Sequence, residues 1–296
     1  MLYRTYAKIN LTLEVLGKRS DGYHDLASLT HTIGLADDLY VEAADEILTK
    51  VQGLEVLENN LVTRAAHLLA AQTHTRSGAQ LTLVKRIPAA AGLGGGSSDA
   101  ASTLVALNRL WQTRLGLSAL APLASQLGSD VPFFVRGGAA VLRGRGDDLE
   151  PLAPLPVQWL TLAFPEAALP NKTATLYAAL QPGDFSSGAA TDALVARLAR
   201  GGRLHASDMV NAFARPARAV FPGLDATWQR LEAVTRQRFH LSGAGPALFT
   251  LARDRADARR LADQVRSLNV AAHAVRTVRH ARASVRLNER ARIEYA

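Results

Sequence analysis

The sequence predicts an α+β protein of two domains, in each of which strands and helices alternate. Its 296 residues exceed what one hydrophobic core usually organises. Apolar residues recur at every second position in some segments and at helical spacing in others, which is typical of mixed structure. Three prolines between residues 151 and 156 interrupt these patterns and indicate a connection. We therefore predict domains at 1–152 and 153–296.

The first predicted element is a strand over residues 5–16, where polar and apolar residues alternate. The apolar positions share one face, which we expect to be the buried one: Ala7, Ile9, Leu11, Leu13 and Val15. Lys8 and Asn10 share the other face and lie about 7 Å apart by strand rise, so they could line a site together. Residues 17–24 are of types that favour turns, and we predict a turn centred on Asp21-Gly22.

The remaining elements follow from the same two periods. Helical spacing predicts helices near 60–72, 118–127, 172–180, 190–200, 225–235 and 254–267. It predicts a further helix directly after the glycine-rich loop that is described below. Apolar alternation or short apolar runs predict strands at 80–86, 131–135, 138–143, 157–164, 238–241, 247–251 and 269–275.

The amino-acid composition excludes several classes of protein to which the chain could otherwise belong. The absence of cysteine excludes disulfides and thiolate metal sites, and no apolar run approaches the ~20 residues of a membrane span. With no signal-peptide pattern at its start, the chain is expected to be cytoplasmic and to have no membrane partner. The net charge of +8 suits an anionic partner, or reflects a general arginine background. The arginine-rich C-terminal end lacks interleaved aromatics and is interpreted as a solvated tail or final helix. Its arginines are Arg276, Arg279, Arg282, Arg286, Arg290 and Arg292.

A glycine-rich loop between a predicted strand and helix is the strongest functional signal. It comprises Pro88, Ala89, Ala90, Ala91, Gly92, Leu93, Gly94, Gly95, Gly96, Ser97 and Ser98. Glycines let consecutive backbone amides turn inward as an anion nest, and the following helix adds its positive N-terminus. We expect Ser97 and Ser98 to cap that helix and to donate to phosphate. The alternative, a flexible linker, does not suit a segment placed between two regular elements.

Two common phosphate loops do not fit this segment. A Walker A loop needs a lysine before its Ser or Thr, and that lysine is absent. A dinucleotide fingerprint needs different glycine spacing and an acidic residue about 20 positions later.

Four segments, in family order, resemble the GHMP kinases (galactokinase, homoserine, mevalonate and phosphomevalonate kinases). They are Ala7–Leu11 with Gly17–His24, the glycine loop, Gly128–Phe134, and Ser242–Pro246. The N-terminal segment is similar to the branch whose acceptor is a methylerythritol carrying a cytidine diphosphate, in the non-mevalonate isoprenoid pathway. The sequence departs from the family pattern in three places. Ala90 replaces a usual glycine, Ala-Phe-Ala-Arg follows Asn211 where acidic residues are common, and the arginine-rich C-terminal end is unmatched.

The resemblance implies a GHMP kinase fold, with an N-terminal domain like ribosomal S5 domain 2 and a ferredoxin-like C-terminal domain. It also implies phosphorylation of an acceptor hydroxyl by ATP, with Mg²⁺ arriving on the ATP phosphates and no protein ligand assigned. The expected partner is a small cytidyl substrate rather than nucleic acid, and the expected assembly is a monomer or weak homodimer.

Lys8 and Asp130 are the candidate catalytic pair. Phosphoryl transfer needs a phosphate cradle, charge neutralisation and a positioned hydroxyl. Asp130 would accept the proton of the acceptor hydroxyl. Lys8 would keep the Asp130 carboxylate ionised and would help to neutralise the charge of the transferring phosphoryl group. The resemblance implies the same pair. Taken alone, Lys8 could be a solvated strand residue and Asp130 a helix or turn cap.

Acceptor binding is assigned to residues that suit a nucleobase and a sugar alcohol. Tyr23 offers a stacking face, His24 can bond the base edge, and Asn10 can bind the sugar-like part. By resemblance, Tyr177 closes the other side of the base with Thr173 nearby, the alternative for Tyr177 being helix packing.

Two further binding residues are proposed from their positions. Gly243 belongs to the third glycine motif, which resembles that of the family. Asn60 is a candidate nucleotide contact, or simply a helix cap. The remaining histidines show no metal-ligand spacing and are interpreted as structural.

Two rival functions remain open from the sequence. The chain could be another GHMP kinase that acts on a small alcohol, although Tyr23 and His24 would then have no base to hold. It could instead be a basic nucleic-acid-binding protein that uses its arginine-rich end, with salt-dependent binding.

Overall fold

The computed structural model describes residues 1–53 and 60–278, which form two sheets with flanking helices. The elements of the first half are β1 (Leu2–Asn10), β2 (Thr12–Lys18), β3 (His24–Ala44), β4 (Ile47–Gln52), α1 (Leu61–Thr73), β5 (Gly78–Val84), α2 (Gly95–Leu110), α3 (Leu117–Leu127), α4 (Val131–Arg136), β6 (Ala139–Gly144) and β7 (Asp148–Pro151). Those of the second half are β8 (Trp159–Phe164), α5 (Lys172–Ala178), α6 (Ala189–Ala199), β9 (Val210–Asn211), α7 (Ala214–Val220), α8 (Leu224–Thr235), β10 (His240–Leu241), β11 (Leu248–Ala252), α9 (Arg255–Arg266) and β12 (Ala271–Arg276).

The larger sheet is organised around β3. This strand is 21 residues long and pairs antiparallel with β1, β2, β5 and β6. At the two ends, β4 adds to β5 and β9 adds to β2, both in parallel. The smaller sheet is antiparallel in the order β10-β11-β8-β12. The mixture of sheets and separate helices confirms the predicted α+β class. The domain boundary after residue 152 stays a prediction.

Two hydrophobic cores hold the site in place. Helices α1 to α4 bury the first against the larger sheet, with Leu39, Leu81 and Leu104 fully enclosed. The second contains Ile9 of the larger sheet and Phe249 of the smaller one, so the two sheets share buried apolar surface. Burial of such side chains is the main favourable term in folding. It fixes β1 and the elements of the second half relative to one another.

The N-terminal strand differs from its prediction in two ways. It breaks at Leu11 into β1 and β2, and both of its faces are buried rather than one. On the supposedly polar face, the Glu14 carboxylate accepts hydrogen bonds from the amide and hydroxyl of Thr191, at 2.7 and 2.6 Å. Helix α6 therefore covers that face, which periodicity along one strand could not reveal.

The predicted strand at 131–135 is wrong, because this segment is helix α4. The prediction rested on a short apolar run, which periodicity alone cannot distinguish from a buried helix. Pro132 lies in the first turn of the helix, where its missing N–H costs nothing, and Gly137 ends it at a φ of +65°. The long strand β3 was not predicted.

Within the described ranges, no helix is both long and apolar enough to cross a bilayer. The arginine-rich C-terminal end was predicted as a tail or helix, but its first arginine, Arg276, is the last residue of strand β12. The arginines from residue 279 onwards lie outside the described residues.

His31 is buried in the larger sheet and is expected to make stability depend on pH. Its Nδ1 donates to the Thr32 carbonyl at 2.9 Å, and its Nε2 has no partner among the described residues. Burial lowers the pKa of His31 from 6.5 to about 4, so the folded state resists a proton that the unfolded state accepts. The stabilising contribution is therefore complete above pH 6.5 and is lost as the pH falls towards 4, by roughly 3 kcal/mol.

Urea unfolding between pH 7.5 and 4.5 checks this expectation. His31→Leu should flatten the decline of the free energy of unfolding with falling pH, whereas the exposed His67→Leu should leave it unchanged. An equally steep decline in His31→Leu and the parent protein would contradict the assignment.

Candidate active site

The predicted catalytic pair is brought together by the fold. Lys8 Nζ on β1 lies 3.6 Å from Asp130 Oδ2, which directly precedes α4. The Lys8 side chain is 7% exposed and that of Asp130 is 39% exposed, so the ammonium group is fixed while the carboxylate remains accessible. Although Asp130 occupies the N-cap position of α4, its side chain makes no capping hydrogen bond. The carboxylate is therefore free to act on a substrate.

Asn10 extends this pair along β1. Its Oδ1 accepts a hydrogen bond from Lys8 Nζ at 2.7 Å, as the shared strand face predicted. Its Nδ2 donates to Ser28 Oγ at 2.8 Å and to Thr30 Oγ1 at 3.0 Å, both on β3. These bonds fix the amide orientation and hold the lysine in one position.

The glycine loop lies against this pair and takes backbone conformations that glycine permits. Gly92 and Gly94 have φ values of +83° and +69°. A Cβ atom on Gly94 would lie 2.7 Å from the Phe134 ring of α4, so only glycine allows the loop to reach the helix that follows Asp130. The Lys8 amide donates to the Leu93 carbonyl at 3.0 Å and ties the loop to β1. Ala90 also has a positive φ, +53°, which explains why glycine suits that position.

The predicted capping role of Ser97 and Ser98 is wrong. Helix α2 begins at Gly95, with Gly94 as N-cap, so both serines lie inside its first turn. The first amide to bond within the helix is that of Ser98, which donates to the Gly94 carbonyl at 2.9 Å. The preceding amides belong to the unpaired start of the helix, which favours an anion. Partly exposed Ser97 remains a candidate phosphate donor, whereas Ser98 is buried.

The third glycine motif closes the loop from the opposite side. A Cβ on Gly92 would lie 2.2 Å from the Ser242 carbonyl, and a Cβ on Gly243 would lie 2.9 Å from the Gly92 carbonyl. The two backbones therefore touch without side chains between them. Asn211 holds the motif in place, since its Nδ2 donates to the carbonyls of Leu241 and Gly243, both at 2.9 Å.

A buried ionic cluster that sequence reasoning missed supports the start of the loop. Lys85 Nζ donates to Asp37 Oδ2 at 2.5 Å and to Asp99 Oδ2 at 2.7 Å. Asp37 Oδ1 in turn accepts from the amides of Arg86 and Ile87, just before Pro88. Burial raises the pKa of the Asp99 carboxyl, and the Lys85 ammonium opposes that shift. The only sequence signal was a set of charged residues beside apolar strands.

Two of the predicted acceptor residues, His24 and Tyr177, belong to an aromatic cluster near Asp130. The His24 ring stacks on Tyr177 of α5, with centroids 4.5 Å apart and planes 18° apart. Phe213 meets Tyr177 edge-on at 4.9 Å. Burial and then the charge of Asp130 raise the pKa of Tyr177, which shows that the cluster lies within electrostatic reach of the carboxylate. Burial and nearby Lys18 lower the pKa of His24, so its ring is neutral at pH 7, with one donor and one acceptor nitrogen.

Other predicted site residues are placed differently. Tyr23 is 54% exposed and its ring lies under the Arg145 guanidinium, 3.9 Å away, so the ring stacked on Tyr177 is that of His24. Thr173 is exposed at the start of α5. Asn60 caps α1, accepting from the Val62 amide at 2.9 Å, as its alternative interpretation expected; its contact with nucleotide stays a prediction.

Lys172, the first residue of α5, is a second cation beside the loop that sequence reasoning did not select. Its Nζ donates to the Gly245 carbonyl at 2.5 Å and to the Ala90 carbonyl. Burial and then the charge of Lys8 lower the pKa of Lys172 to about 8.

Among the described residues, no group of three or more histidine and acidic side chains is arranged to hold a metal.

Comparison with known proteins identifies the class of protein that this fold and site define. Residues 60–138 match the sequence model of the GHMP kinases N terminal domain, and residues 190–271 match that of the GHMP kinases C terminal. The chain belongs to the GHMP kinases, a family of ATP-dependent phosphotransferases. The predicted GHMP kinase fold is thereby confirmed.

Individual relatives carry the name of one particular kinase within this family. The chain is 42% identical to a 4-diphosphocytidyl-2-C-methyl-D-erythritol kinase of Dehalococcoides mccartyi, covering 84% of this chain and 88% of the relative. It is also 42% identical to a kinase of the same name from Pelotomaculum thermopropionicum, covering 88% and 92%. A solved 4-(cytidine 5'-diphospho)-2C-methyl-D-erythritol kinase aligns with a TM-score of 0.80 at 38% identity, covering 94% of this chain and 99% of that one. Homoserine kinase from Cytophaga hutchinsonii, at 17% identity and a TM-score of 0.71, shares the fold alone.

Proposed function

We propose that this chain transfers the γ-phosphoryl group of ATP to the 2-hydroxyl of 4-diphosphocytidyl-2-C-methyl-D-erythritol, giving the 2-phosphate and ADP in the non-mevalonate isoprenoid pathway. The observation that carries the proposal is the approach of Lys8 to Asp130 between a phosphate-type loop and the His24–Tyr177 stack. The relatives at 42% identity carry the corresponding name. The proposed setting is the cytoplasm, with the protein as a monomer or weak homodimer, acting on small molecules without nucleic acid or membrane.

The chemistry assigned to the pair conserves atoms and charge. The hydroxyl oxygen of the acceptor forms a bond to the γ-phosphorus as its proton passes to the Asp130 carboxylate. The bond from that phosphorus to the β,γ-bridging oxygen breaks, and ADP leaves with the electron pair. Buried Lys8, held by Asn10, stabilises the negative charge on the transferring group without first having to reorganise.

The glycine loop would hold the ATP phosphates. Its close backbone contacts, in which a Cβ on Gly92 or Gly94 would clash, leave amides rather than side chains at the surface of the cradle. Bound Mg²⁺ would neutralise phosphate charge. We assign its ligands mainly to phosphate oxygens and water, as a small hard cation prefers.

A coupled assay of ADP release tests the proposal. It would use ATP, Mg²⁺ and the cytidyl acceptor, with homoserine, mevalonate and no acceptor in parallel reactions. Turnover with the cytidyl acceptor alone is expected. Turnover with another alcohol would keep the kinase and remove the acceptor assignment, whereas salt-sensitive oligonucleotide binding without turnover would favour the nucleic-acid alternative.

His24→Ala is expected to weaken acceptor binding selectively. The variant removes a ring that stacks on Tyr177 and can bond the base edge, so the KM for the cytidyl acceptor should rise about 5- to 150-fold. The KM for ATP should change little, because His24 lies on the acceptor side of the site. His67→Ala on the exposed face of α1 is the matched control. An acceptor KM unchanged by His24→Ala would remove His24 from the binding pocket.

A further inference from the structure

Lys172 joins two loops that are distant in sequence. Its ammonium group donates to the Ala90 carbonyl of the glycine loop and to the Gly245 carbonyl of the third glycine motif. An ammonium group has three N–H donors, so one remains for a further acceptor. Asn171, immediately before it, has a φ of +48°, a conformation that asparagine tolerates better than most residues.

The charge balance around Lys172 is incomplete in the protein alone. Lys8 has the Asp130 carboxylate at 3.6 Å, but in the described part of the chain Lys172 has no carboxylate within ion-pair distance. Its partners are two neutral carbonyls, and Lys8 repels it. A partly buried cation beside another cation is unfavourable until an anion arrives. The polyphosphate of ATP is an anion of that kind, and the glycine loop that would cradle it is already bonded to Lys172.

The position of Lys172 on α5 places it between the glycine loop and the stacked rings of His24 and Tyr177. This seven-residue helix begins at Lys172 and carries Tyr177, which stacks with His24, near its other end. The helix thus contacts the phosphate loop with its first residue and the acceptor cluster with a later one. A cation at this junction would lie close both to a phosphate held by the loop and to an acceptor held by the stacked rings.

We propose that Lys172 is a positioning and charge-complementing residue for ATP: its ammonium group clamps the glycine loop to the third glycine motif, and its remaining N–H donates to an ATP phosphate oxygen. The inference rests on the proposed phosphotransfer function. Sequence motifs do not assign this role, because Lys172 lies outside all four family-like segments.

The test measures ATP affinity separately from turnover. Binding of Mg·ATP would be followed by calorimetry without acceptor, and steady-state ADP release would give KM and kcat. Lys172→Met is expected to weaken ATP binding and raise the KM for ATP about 10- to 100-fold, with a smaller loss of kcat. Lys172→Arg, which keeps the charge and several donors, should recover most of the affinity. Lys50→Met, an exposed lysine on β4, is the matched control and should bind ATP like the parent protein.

Each outcome decides between roles. ATP affinity of Lys172→Met within twofold of the parent, or Lys172→Arg as weak as Lys172→Met, would overturn the charge-complementing role. A lowered melting temperature with unchanged ATP affinity would also overturn it and leave only a structural clamp. Should Lys172→Met fail to fold, Lys172→Gln takes its place in the same comparison of ATP affinities. Glutamine keeps a hydrogen-bond donor but not the charge. Failure of the parent protein to turn over any acceptor would count against the proposed function, while the calorimetric comparison would still decide the role of Lys172.

Discussion

Replacing Asp130 with asparagine is expected to lower kcat by roughly 10²–10⁴, the usual contribution of a general base. The change is nearly isosteric and the side chain makes no capping hydrogen bond, so α4 should remain intact. What is lost is the ability to accept the hydroxyl proton and the ionic partner of Lys8 at 3.6 Å. Because Asp130 is not one of the loop residues that would hold the ATP phosphates, the KM for ATP should change much less than kcat.

Single-turnover measurement of phosphoryl transfer is the direct check, with far-ultraviolet circular dichroism and ATP calorimetry to confirm folding and binding. Asp45→Asn, an exposed aspartate beyond the end of β3, is the matched control and should retain full turnover. Near-normal turnover by Asp130→Asn would remove Asp130 from the mechanism and leave Lys8 and the loop as the acting groups.

Asp37→Ala is expected to destabilise the fold by about 3–5 kcal/mol, the range for removing one partner of a buried ion pair. Asp37 is fully buried, and its carboxylate accepts hydrogen bonds from Lys85 Nζ and from the amides of Arg86 and Ile87. The variant would leave a partly buried ammonium with only Asp99 and would orphan two amides. Since those amides directly precede the glycine loop, the KM for ATP should also rise.

Urea unfolding at pH 7 measures this loss. The exposed pair of Arg143 and Asp192 supplies the control, since Asp192→Ala removes the same kind of bond at the surface and should cost only about 0–1 kcal/mol. Asp37→Asn, which keeps an oxygen for the amides but loses the charge, should fall between the two. A loss below 1 kcal/mol in Asp37→Ala would mean that the cluster adds little net stability.

The sequence by itself determined the features that short-range patterns encode. Strand periodicity placed Lys8 and Asn10 on one face, and the two are indeed hydrogen-bonded. Glycine spacing identified the phosphate-type loop and excluded two other loop classes, because the backbone conformation of a glycine-rich turn is a local property. The order of the four glycine-containing and catalytic segments along the chain indicated the family. These results depend on residues close to one another in the chain.

Only the tertiary structure decided how distant segments meet. Three contacts join residues far apart in sequence: the 3.6 Å approach of Lys8 to Asp130, the hydrogen bond that Thr191 of α6 donates to Glu14, and the bridge made by Lys172. Such contacts depend on how sheets and helices pack, which no local period records. Local rules also misassigned α4 as a strand, because a short apolar run suits either structure and its packing beneath the loop selects the helix. The pattern therefore indicated the candidate groups, and packing determined which of them lie together.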